Sequence, residues 1–585
     1  MIILGINAYH GDSAACLVVD GKLINAIEEE RIRRIKHWAG LPTEAIKWCL
    51  SDAKIKIQDV DYIAVSRNPS AHLHKKILSV LSKTPTLDFL KNRLLNVSTI
   101  GDIKTKIAEA LNIELATIKA KVENIEHHKA HIGSTFLVSP FKEAACITID
   151  GFGDFLSVMR GIGKENSFTT LDCIEFPHSL GIFYTALTQF LGFPEYGDEY
   201  KVMGLSAYGE PVYVDKMKNI VKLKNNGLFE LDISFFKHVS EGVEMVWENG
   251  KPTFGSLFSD KLTGLFGKAR EKEEEITKHY QNVAASVQAM YEEAFFHILN
   301  DTFNKTKLEA VALAGGCIQN SLANGKILRK TSFKKIYIPP ASYDAGTAIG
   351  AAIVVWYEKS KESRSFVMEN PYLGPEFKKD EIEEGIKKYH LELLKNNCVV
   401  ELFDAEVNLC KKVAELIAQG KVIGWFQGRT EFGPRSLGNR SIVVDPRKKE
   451  MKDILNERIK RREWFRPFAP SVLEEKTSEW FEESQPVPFM EKVYKIKESK
   501  QKLIPPVCHV DGTGRLQTVS YKSNPRYYNL IKQFGELTGI PMILNTSFNE
   551  NEPIVNMPRE ALDCFLRTKM DYLVLGDFII SKNDK

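Results

Sequence analysis

Two segments of the sequence repeat one pattern, in which an apolar strand, a tight turn with glycine and aspartate, and a second apolar strand follow one another. The first segment runs from Ile2 to Asp20, and the second runs from Ala145 to Arg160. Apolar runs separated by such turns are typical of β-hairpins. The repeat predicts a duplicated architecture for the first part of the chain. The alternative is a pair of unrelated core hairpins.

The turns that follow the strands predict a nucleotide site. Glycine in a hairpin turn lets backbone N–H groups approach an anion that a bulkier residue would keep away. Hairpins of this kind hold phosphates in the actin, sugar-kinase and Hsp70 class of folds. Later in the chain, the apolar run Ala310–Ala314 leads into Gly315 and Gly316, and a run from Lys335 leads towards Asp344. A strand followed by a glycine-rich turn and a helix is a common nucleotide-binding geometry.

The length of 585 residues exceeds what one hydrophobic core normally holds, so two or three domains are expected. Residues 277–304 carry apolar side chains at helical spacing and predict a long amphipathic helix. Near residue 370 the sequence turns polar and then reads Asn-Pro-Tyr-Leu-Gly-Pro, which interrupts regular structure. We therefore predict a first domain over 1–360, a linker over 361–377 and a second domain over 378–585. Strands of the second domain are predicted near residues 422–426, 441–445 and 542–545.

The composition narrows the class of protein. The formal net charge is +3, with 43% hydrophobic and 26% charged residues, which argues against a general binder of nucleic acids or membrane surfaces. The start of the chain lacks the basic region of a signal peptide, and no apolar run is long enough to span a membrane. The nine cysteines form no Cys-x-x-Cys pair, so zinc ribbons and dithiol redox motifs find no support. A cytoplasmic protein is expected.

Two histidines and two carboxylates predict a metal site. His127 and His131 are four residues apart, a spacing that places both imidazoles on one face of a helix, within reach of one cation. Asp150 ends one predicted strand, and Asp344 lies in a loop after another. Two imidazoles and two carboxylates suit iron, manganese or zinc better than calcium. The alternative is a helix N-terminus with solvated histidines.

The arginine-rich stretch from Gly424 to Arg466 predicts an anion site. Arginines this dense, interrupted by glycine and proline, cannot form a simple amphipathic helix. Gly428, Gly433 and Gly438 permit tight turns that direct several guanidinium groups to one point. Guanidinium groups match phosphate oxygens bidentately and keep their charge, and a doubly charged acyl phosphate needs several such donors. The alternative is a solvated basic surface, which typically favours lysine.

Two further segments combine short polar side chains with turns. They are residues 509–519, which read HVDGTGRLQTV, and residues 545–549, which read NTSFN. Such side chains can hydrogen-bond a carbamoyl group, which offers one carbonyl oxygen and an NH2 donor. Ordinary Asx and Ser/Thr turns are the alternative.

Ten ordered sequence blocks together resemble the nodulation and cephamycin O-carbamoyltransferase family over nearly the whole chain. They are HGDSAA, EHHKAH, TIDGFGD, GDEYKVMGLSAYG, GGCIQNSLAN, SYDAGTAIGAA, GRTEFGPRSLGNRSI, REWFRPFAPSVL, DGTGRLQTV and NTSFNENEPIV. Ten blocks in the same order argue strongly against chance. One departure is Tyr200, where many members have glycine; its side chain could fill space near the acceptor.

The resemblance implies an α/β protein with an N-terminal, duplicated actin-like domain and a C-terminal YrdC-like domain. In the second domain, carbamoyl phosphate and ATP would give carbamoyl adenylate. In the first, the carbamoyl group would pass to a hydroxyl of a small-molecule or glycan acceptor. The resemblance also implies a divalent metal, usually read as iron, and leaves open a magnesium ion with ATP and a homodimer.

The family's functional residues carry over by motif. The metal site maps onto His127, His131, Asp150 and Asp344. The nucleotide site maps onto Gly315, Gly316, Asn320, Asn324 and Lys201. The carbamoyl phosphate site maps onto Arg429, Arg435, Arg440, Lys460, Arg466, Asn545 and Ser547.

Candidate catalytic groups for carbamoyl transfer lie in and after the first hairpin. His10, beside Asp12 in its turn, could act as general base on the acceptor hydroxyl or polarise the carbamoyl carbonyl. A plain turn histidine is the alternative. Lys36 and Glu30 follow in a charged segment that either lines the same pocket or forms a solvated helix.

Two other functions share these folds. A relative of tRNA threonylcarbamoyl transferases or of hydrogenase-maturation proteins would need a basic docking face or paired Cys-x-x-Cys fingers, and the sequence shows neither. A non-enzymatic, actin-like nucleotide switch gives no reason for the arginine-rich second domain.

Overall fold

A computed structural model describes residues 1–73, 75–76, 102–241 and 245–582. The chain divides into two compact units, Met1–Met368 and Glu369–Lys585. The division lies within residues 361–377, the segment that the sequence proposes as the linker. Assignment of a separate activity to each unit stays a prediction.

In the described residues of the first unit, the strands form two five-stranded sheets and two short ribbons. These strands are β1 (Ile2–Asn7), β2 (Ala14–Val19), β3 (Lys22–Glu28), β4 (Tyr62–Val65), β5 (Lys121–Asn124), β6 (Glu143–Gly153), β7 (Leu156–Lys164), β8 (Ser167–Glu175), β9 (Val221–Leu223), β10 (Phe229–Leu231), β11 (Met245–Glu248), β12 (Lys251–Phe254), β13 (Ala310–Ala314) and β14 (Lys335–Tyr337).

The two large sheets have the same topology. Their strand orders are β3-β2-β1-β4-β5 and β8-β7-β6-β13-β14. In each sheet the first three strands pair antiparallel to their neighbours. The last two strands run parallel to the central strand, which is β1 in one sheet and β6 in the other. The predicted duplication is therefore confirmed, and unrelated hairpins are excluded. This is the arrangement expected for an actin-like domain, and it places the ends of β1, β4, β6 and β13 where ligands bind in such sheets.

The helices of the first unit include the long helix predicted over 277–304, which is confirmed with bounds Lys278–Thr306. The α-helices are α1 (Glu29–Arg33), α2 (Thr43–Asp52), α3 (Ile103–Leu111), α4 (His127–Thr135), α5 (Leu180–Phe190), α6 (Glu199–Leu205), α7 (Val214–Met217), α8 (Asp260–Phe266), α9 (Lys278–Thr306), α10 (Ser321–Asn324), α11 (Ile327–Lys330) and α12 (Gly346–Ser360).

Helices α4 and α12 pack against each other, and α12 also packs on β1. Residues 346–357 of α12 are all buried, as expected for a helix that is apolar all round. A Cβ atom on Gly350 would lie 1.8 Å from the carbonyl oxygen of Ala130 in α4. The glycine therefore allows the two helix backbones to touch, and it fixes the position of the helix that carries His127 and His131.

We expect Gly350→Ala to destabilise the protein by at least about 2 kcal/mol, because the methyl group must push α4 away. Urea-induced unfolding measures the change. The matched control is Gly264→Ala in α8, where a Cβ atom meets nothing within 4 Å. There alanine should stabilise by about 0.5–1 kcal/mol through its helix propensity. Equal effects of the two substitutions would contradict the close packing of α4 and α12.

The second unit is built on one mixed sheet of eight strands in the order β15-β24-β23-β16-β17-β22-β18-β21, with a two-stranded ribbon of β19 and β20. The strands predicted near 422–426, 441–445 and 542–545 are confirmed as β16, β17 and β22. The strands are β15 (Cys398–Leu402), β16 (Ile423–Phe426), β17 (Arg440–Val444), β18 (Ala469–Leu473), β19 (Tyr494–Lys495), β20 (Thr513–Gly514), β21 (Gln517–Val519), β22 (Met542–Ser547), β23 (Tyr572–Leu575) and β24 (Phe578–Lys582).

Helices of the second unit cover this sheet and close one continuous hydrophobic core. They are α13 (Lys379–Lys388), α14 (His390–Lys395), α15 (Glu406–Ala418), α16 (Met451–Asp453), α17 (Thr477–Trp480), α18 (Glu498–Gln501), α19 (Pro525–Thr538) and α20 (Pro558–Arg567). The α/β class predicted for both parts of the chain is confirmed. In the described ranges no helix combines the length and the apolar character that a membrane crossing requires.

Candidate metal and anion sites

The helix that carries the predicted metal ligands begins at His127. The carboxylate of Glu126 caps it by accepting the backbone N–H groups of His128 and Lys129. His127 and His131 lie one turn apart on the same face, and both are buried. Solvated histidines at a helix N-terminus are therefore excluded.

The four predicted metal ligands converge. One ligand atom from each of His127, His131, Asp150 and Asp344 lies within 4.8 Å of the others. Nε2 of His127 and Nε2 of His131 are 3.1 Å apart. They lie 2.9 and 3.1 Å, respectively, from Oδ2 of Asp150. Oδ1 of Asp344 is 3.6 Å from Nε2 of His127 and 3.5 Å from Nε2 of His131.

Backbone groups orient the carboxylates. Oδ1 of Asp150 accepts the N–H groups of Gly151 at 2.8 Å and Gly316 at 2.9 Å, which leaves Oδ2 for the two histidines. Asp344 divides its oxygens in the same way: Oδ1 faces the histidines, and Oδ2 pairs with Nδ1 of His10. The turn after β13 thus supports a ligand that comes from β6.

The charges of this cluster favour a cation between its members. Burial raises the pKa of Asp150, but hydrogen bonds from His127 and His131 outweigh it and hold this pKa well below its usual range. Burial lowers the pKa of His127, but the hydrogen bond to Asp150 and the charge of Asp344 raise it to about 9. The two carboxylates therefore attract positive charge, either as protons on the imidazoles or as a metal ion.

The residues present fit a divalent transition metal. Two imidazole nitrogens that lie 3.1 Å apart can each donate a lone pair to one cation between them. Two nitrogen and two carboxylate donors match the chemistry of iron, manganese or zinc. Nδ1 of His131 is buried without a hydrogen-bond partner among the described residues, unlike most metal-bound histidines.

Two of the predicted catalytic residues, His10 and Asp12, belong to two separate histidine–aspartate pairs. His10 contacts Asp344, and its ring centroid is 5.6 Å from that of His127. Asp12 instead pairs with Nδ1 of His37 at 2.7 Å. Burial lowers the pKa of His37, but the charge of Asp12 raises it to about 9. No motif in the sequence points to His37, and only its position next to Lys36 suggests that it belongs to this site.

The charged segment after the first hairpin is only partly a solvated helix. Helix α1 ends at Arg33, and Lys36 lies beyond it with an exposed side chain. The carboxylate of Glu30 accepts the backbone N–H of His37 at 2.8 Å. It therefore orders the turn that presents His37 to Asp12.

The predicted nucleotide loop follows β13. Gly315 has φ of +103°, and a Cβ atom there would lie 2.2 Å from the carbonyl oxygen of Ile149. The N–H of Gly316 is already donated to Asp150. The side chain of Asn320 pairs with Gln288 in both directions, at 2.9 and 3.1 Å.

The other two residues predicted to contact the nucleotide also have internal partners. The side chain of Asn324 donates to the carbonyl of Ile318 at 2.7 Å. The ammonium group of Lys201 lies 2.9 Å from Asp198 and packs over Phe193. Both asparagines therefore shape the loop, while Tyr200 is half-buried beside Lys201 on α6. Direct contacts from these residues to a nucleotide remain a prediction.

In the second unit, a single carboxylate holds the arginine-rich loop. Oε1 of Glu431 accepts the backbone N–H groups of Leu437 at 2.8 Å, Asn439 at 2.7 Å and Arg440 at 3.1 Å. The carboxylate of Glu431 is buried, so these hydrogen bonds fix the turn in place. The loop leads directly into β17.

Arg440, which the sequence predicts to contact carbamoyl phosphate, has its side chain bonded within the protein. Its side chain is fully buried, stacks on Phe426 at 3.6 Å and donates to backbone carbonyls of Gln427, Gly428 and Pro375. The guanidinium group therefore stabilises the loop by hydrogen bonds to its backbone carbonyls. The sequence could not show this, because it does not distinguish a buried arginine from one that faces a ligand.

Arg429 and Lys460 also contact protein oxygens. Arg429 donates to the carbonyl of Leu373 at 3.2 Å. The ammonium group of Lys460 is buried among oxygens of Ser547 and Asn549, with 2.7 Å to each of two oxygens of Asn549. Lys460 thus holds the turn after β22 in position.

Arg515 lies near enough to Arg435, Arg462 and Arg466 for their positive charges to act on it. Two of these arginines also have protein partners, since Arg462 donates to Asn456 at 2.8 Å and Arg466 lies 3.5 Å from Glu463. Burial lowers the pKa of Arg515 well below its usual range, and the positive charges of Arg435, Arg462 and Arg466 lower it further. Nε of Arg515 is buried without a hydrogen-bond partner in the described part of the chain. Such a cluster is costly without an anion. Arg435 and Arg466 belong to the predicted set, whereas Arg462 and Arg515 were missed although both stand in the conspicuous sequence blocks.

A polar network connects the loops that carry these arginines. Nδ2 of Asn545 donates to the carbonyl of Ser436 at 3.1 Å and to Oγ of Ser471 at 3.0 Å. It also lies 3.2 Å from Oε1 of Gln517. Oδ1 of Asn545 is buried and has no hydrogen-bond partner among the described residues. The network thereby places Ser436, next to Arg435, beside the strand that follows Arg515.

Two family profiles match the chain. The profile described as "Carbamoyltransferase N-terminus" matches residues 2–353, and the profile described as "Carbamoyltransferase C-terminus" matches residues 414–582. The chain belongs to the carbamoyltransferase family. It is therefore an enzyme of the transferase class, and the resemblance seen in its sequence is confirmed.

Relatives of this carbamoyltransferase cover nearly its whole length. An uncharacterized protein of Synechocystis sp. is 40% identical over 615 residues, which cover 99% of this chain and 96% of the relative. Nodulation protein NolNO of Sinorhizobium fredii is 37% identical over 584 residues, covering 98% of this chain and 80% of the relative. Nodulation protein U of Rhizobium fredii is 27% identical over 574 residues, with coverages of 94% and 89%.

Solved structures show only a distant likeness to this carbamoyltransferase. HypF of T. kodakarensis is 12% identical with a TM-score of 0.30, covering 62% of this chain and 48% of that chain. ROK hexokinase of Thermus thermophilus is 12% identical with a TM-score of 0.28, covering 62% of this chain and all of the other. Scores this low decide neither fold nor function.

Proposed function

We propose that this carbamoyltransferase is ATP-dependent, that it forms carbamoyl adenylate from carbamoyl phosphate and ATP, and that it transfers the carbamoyl group to a hydroxyl of a small molecule or glycan. The observation that carries the proposal is the cluster of Arg435, Arg462, Arg466 and Arg515. The positive charges of Arg435, Arg462 and Arg466 act on the guanidinium group of Arg515, and a multiply charged anion bound among them would offset this repulsion.

The first half-reaction belongs to the second unit in this proposal. Water cleaves carbamoyl phosphate to carbamate and phosphate, and a carbamate oxygen then attacks the α-phosphorus of ATP, so that pyrophosphate leaves. The arginine cluster would bind the phosphate of the donor. The unpaired Oδ1 of Asn545 is suited to accept a hydrogen bond from the carbamoyl NH2 group.

The second half-reaction belongs to the first unit. The acceptor hydroxyl attacks the carbamoyl carbon, its proton passes to a base, and AMP leaves with the bonding electrons. His10 is placed to take this proton, because its Nδ1 is fixed by Asp344 and its ring lies beside His127. The Asp12–His37 pair and Lys36 would line the acceptor side.

A divalent cation would be held by His127, His131, Asp150 and Asp344. When bound, it would supply positive charge that stabilises the phosphate leaving group. The loop from Gly315 to Asn324 would hold the nucleotide. Its internally bonded asparagines would act by fixing the loop conformation.

Mass spectrometry with isotopic label tests the proposal. With [13C]carbamoyl phosphate and ATP, the purified protein should form carbamoyl adenylate that carries the label. A threonylcarbamoyl-type relative would instead incorporate label from [13C]bicarbonate only when threonine is present, and an actin-like switch would form no adenylate. Either of these two results would overturn the proposal.

A further inference from the structure

Arg67 is a cation beside the metal cluster that neither the sequence motifs nor the family resemblance singles out. It follows β4, whose residue Val65 lies opposite Ile6 of the parallel strand β1. Arg67 and Tyr9 therefore both stand just beyond the carboxyl ends of adjacent parallel strands, where α/β sheets bind ligands. Nη1 of Arg67 donates to the carbonyl oxygen of Tyr9 at 3.0 Å, directly before His10.

The segment that carries Arg67 is tied to the metal-binding helix. Oδ2 of Asp154 accepts the N–H of Asn68 at 2.7 Å and the N–H of His127 at 3.0 Å. Asp154 is buried, so one carboxylate oxygen joins the residue after Arg67 to the first predicted metal ligand. The guanidinium group thus has a fixed place relative to the cluster.

In the described part of the chain, the guanidinium group of Arg67 has one hydrogen-bond partner. It has five N–H donors, and its hydrogen bond to Tyr9 uses one of them. Within the described ranges no carboxylate approaches Arg67 to the 4.0 Å of an ion pair, although Asp154 and Asp344 are near enough to attract it electrostatically. Arg67 is thus a half-buried arginine near two carboxylates, and it forms an ion pair with neither of them among the described residues.

The charge balance identifies that group. Asp150 and Asp344 can neutralise a divalent cation completely, which leaves no net charge to hold an anionic ligand. A phosphate bound at this edge of the sheet needs a further cation. The side chain of Arg67 contacts Tyr9, which precedes His10, and Asn68 is joined to His127 through Asp154. The planar guanidinium fork of Arg67 matches phosphate oxygens.

We propose that Arg67 binds the phosphate oxygens of the adenylate in the first unit, an inference that rests on the function proposed above. In the transfer step Arg67 would hold the adenosine monophosphate moiety while the acceptor attacks the carbamoyl carbon. It would also compensate the charge that AMP gains when the mixed anhydride breaks.

Calorimetric titration of the whole chain with AMP and with adenosine tests this role. Arg67→Gln should weaken AMP binding at one site by about 10- to 100-fold, the loss expected for a charge-assisted hydrogen-bond pair. Adenosine binding should change less than about twofold, because adenosine lacks the phosphate. Arg67→Lys should keep part of the AMP affinity. Arg435→Gln identifies any second AMP site in the other unit, and the exposed Arg329→Gln controls for loss of one positive charge.

Three results would overturn the inference. In the first, Arg67→Gln binds AMP as tightly as the wild type does. In the second, Arg67→Gln loses affinity for AMP and for adenosine equally. In the third, Arg435→Gln binds no AMP at all. Equal weakening would indicate a structural role only. A different result would contradict the proposed function: the wild-type protein would make no carbamoyl adenylate from carbamoyl phosphate and ATP.

Discussion

Arg515→Gln is expected to abolish pyrophosphate release that depends on carbamoyl phosphate, and at the same time to make the free protein more heat-stable. The substitution removes a partly buried positive charge on which the charges of Arg435, Arg462 and Arg466 act. Relief of about 1 kcal/mol of repulsion would raise the melting temperature by about 2–4 °C in a domain of this size. Loss of one guanidinium contact to a phosphate should reduce the rate at least about 100-fold.

Differential scanning fluorimetry, with and without carbamoyl phosphate, measures the stability change. Carbamoyl phosphate should stabilise the wild type and have little effect on Arg515→Gln. The matched control is Arg447→Gln, which removes an arginine paired with the buried Asp445 at 2.7 Å. That variant should lose stability and keep its activity. A destabilised Arg515→Gln with normal pyrophosphate release would show that Arg515 is structural.

His127→Ala is expected to stop carbamoyl transfer while carbamoyl adenylate still forms. The substitution removes one of four converging ligands from the first unit and leaves the arginine cluster of the second unit unchanged. Metal content should fall, and transfer should drop by at least about 100-fold. Carbamoyl adenylate should accumulate, because it is made but not consumed.

Elemental analysis and mass spectrometry measure metal content and adenylate together. His297→Ala is the control in the same unit, since this histidine hydrogen-bonds the carbonyl of Lys224 at 2.8 Å and is not one of the four converging ligands. It should retain metal and activity. Equal loss of both half-reactions in His127→Ala would contradict the assignment of one half-reaction to each unit.

The sequence predicted those features that local patterns encode. The repeated hairpin, the strand Ala310–Ala314 and the long helix after Thr277 all depend on neighbouring residues, and the structure reproduces them. The four-residue spacing of His127 and His131 gave their common helical face. The convergence of Asp150 and Asp344 on that face follows from sheet topology, which the resemblance supplied and the spacing alone did not.

Burial and long-range pairing were beyond the sequence. Arg440 and Arg435 stand in the same loop, yet one guanidinium group is enclosed by backbone carbonyls and the other takes part in the cationic cluster. Arg515 joins this cluster from 49 to 80 residues further along the chain, through a segment interpreted only as a polar turn. The pairing of Asn320 with Gln288 was also beyond the sequence, because Gln288 lies on a helix that no motif marks.

Pyrophosphate release by the wild type, measured with ATP alone and with ATP plus carbamoyl phosphate, tests the central claim most directly. If the second unit activates carbamoyl phosphate as an adenylate, release should require both substrates and should be lost in Arg515→Gln. Pyrophosphate release at the same rate without carbamoyl phosphate would contradict the account.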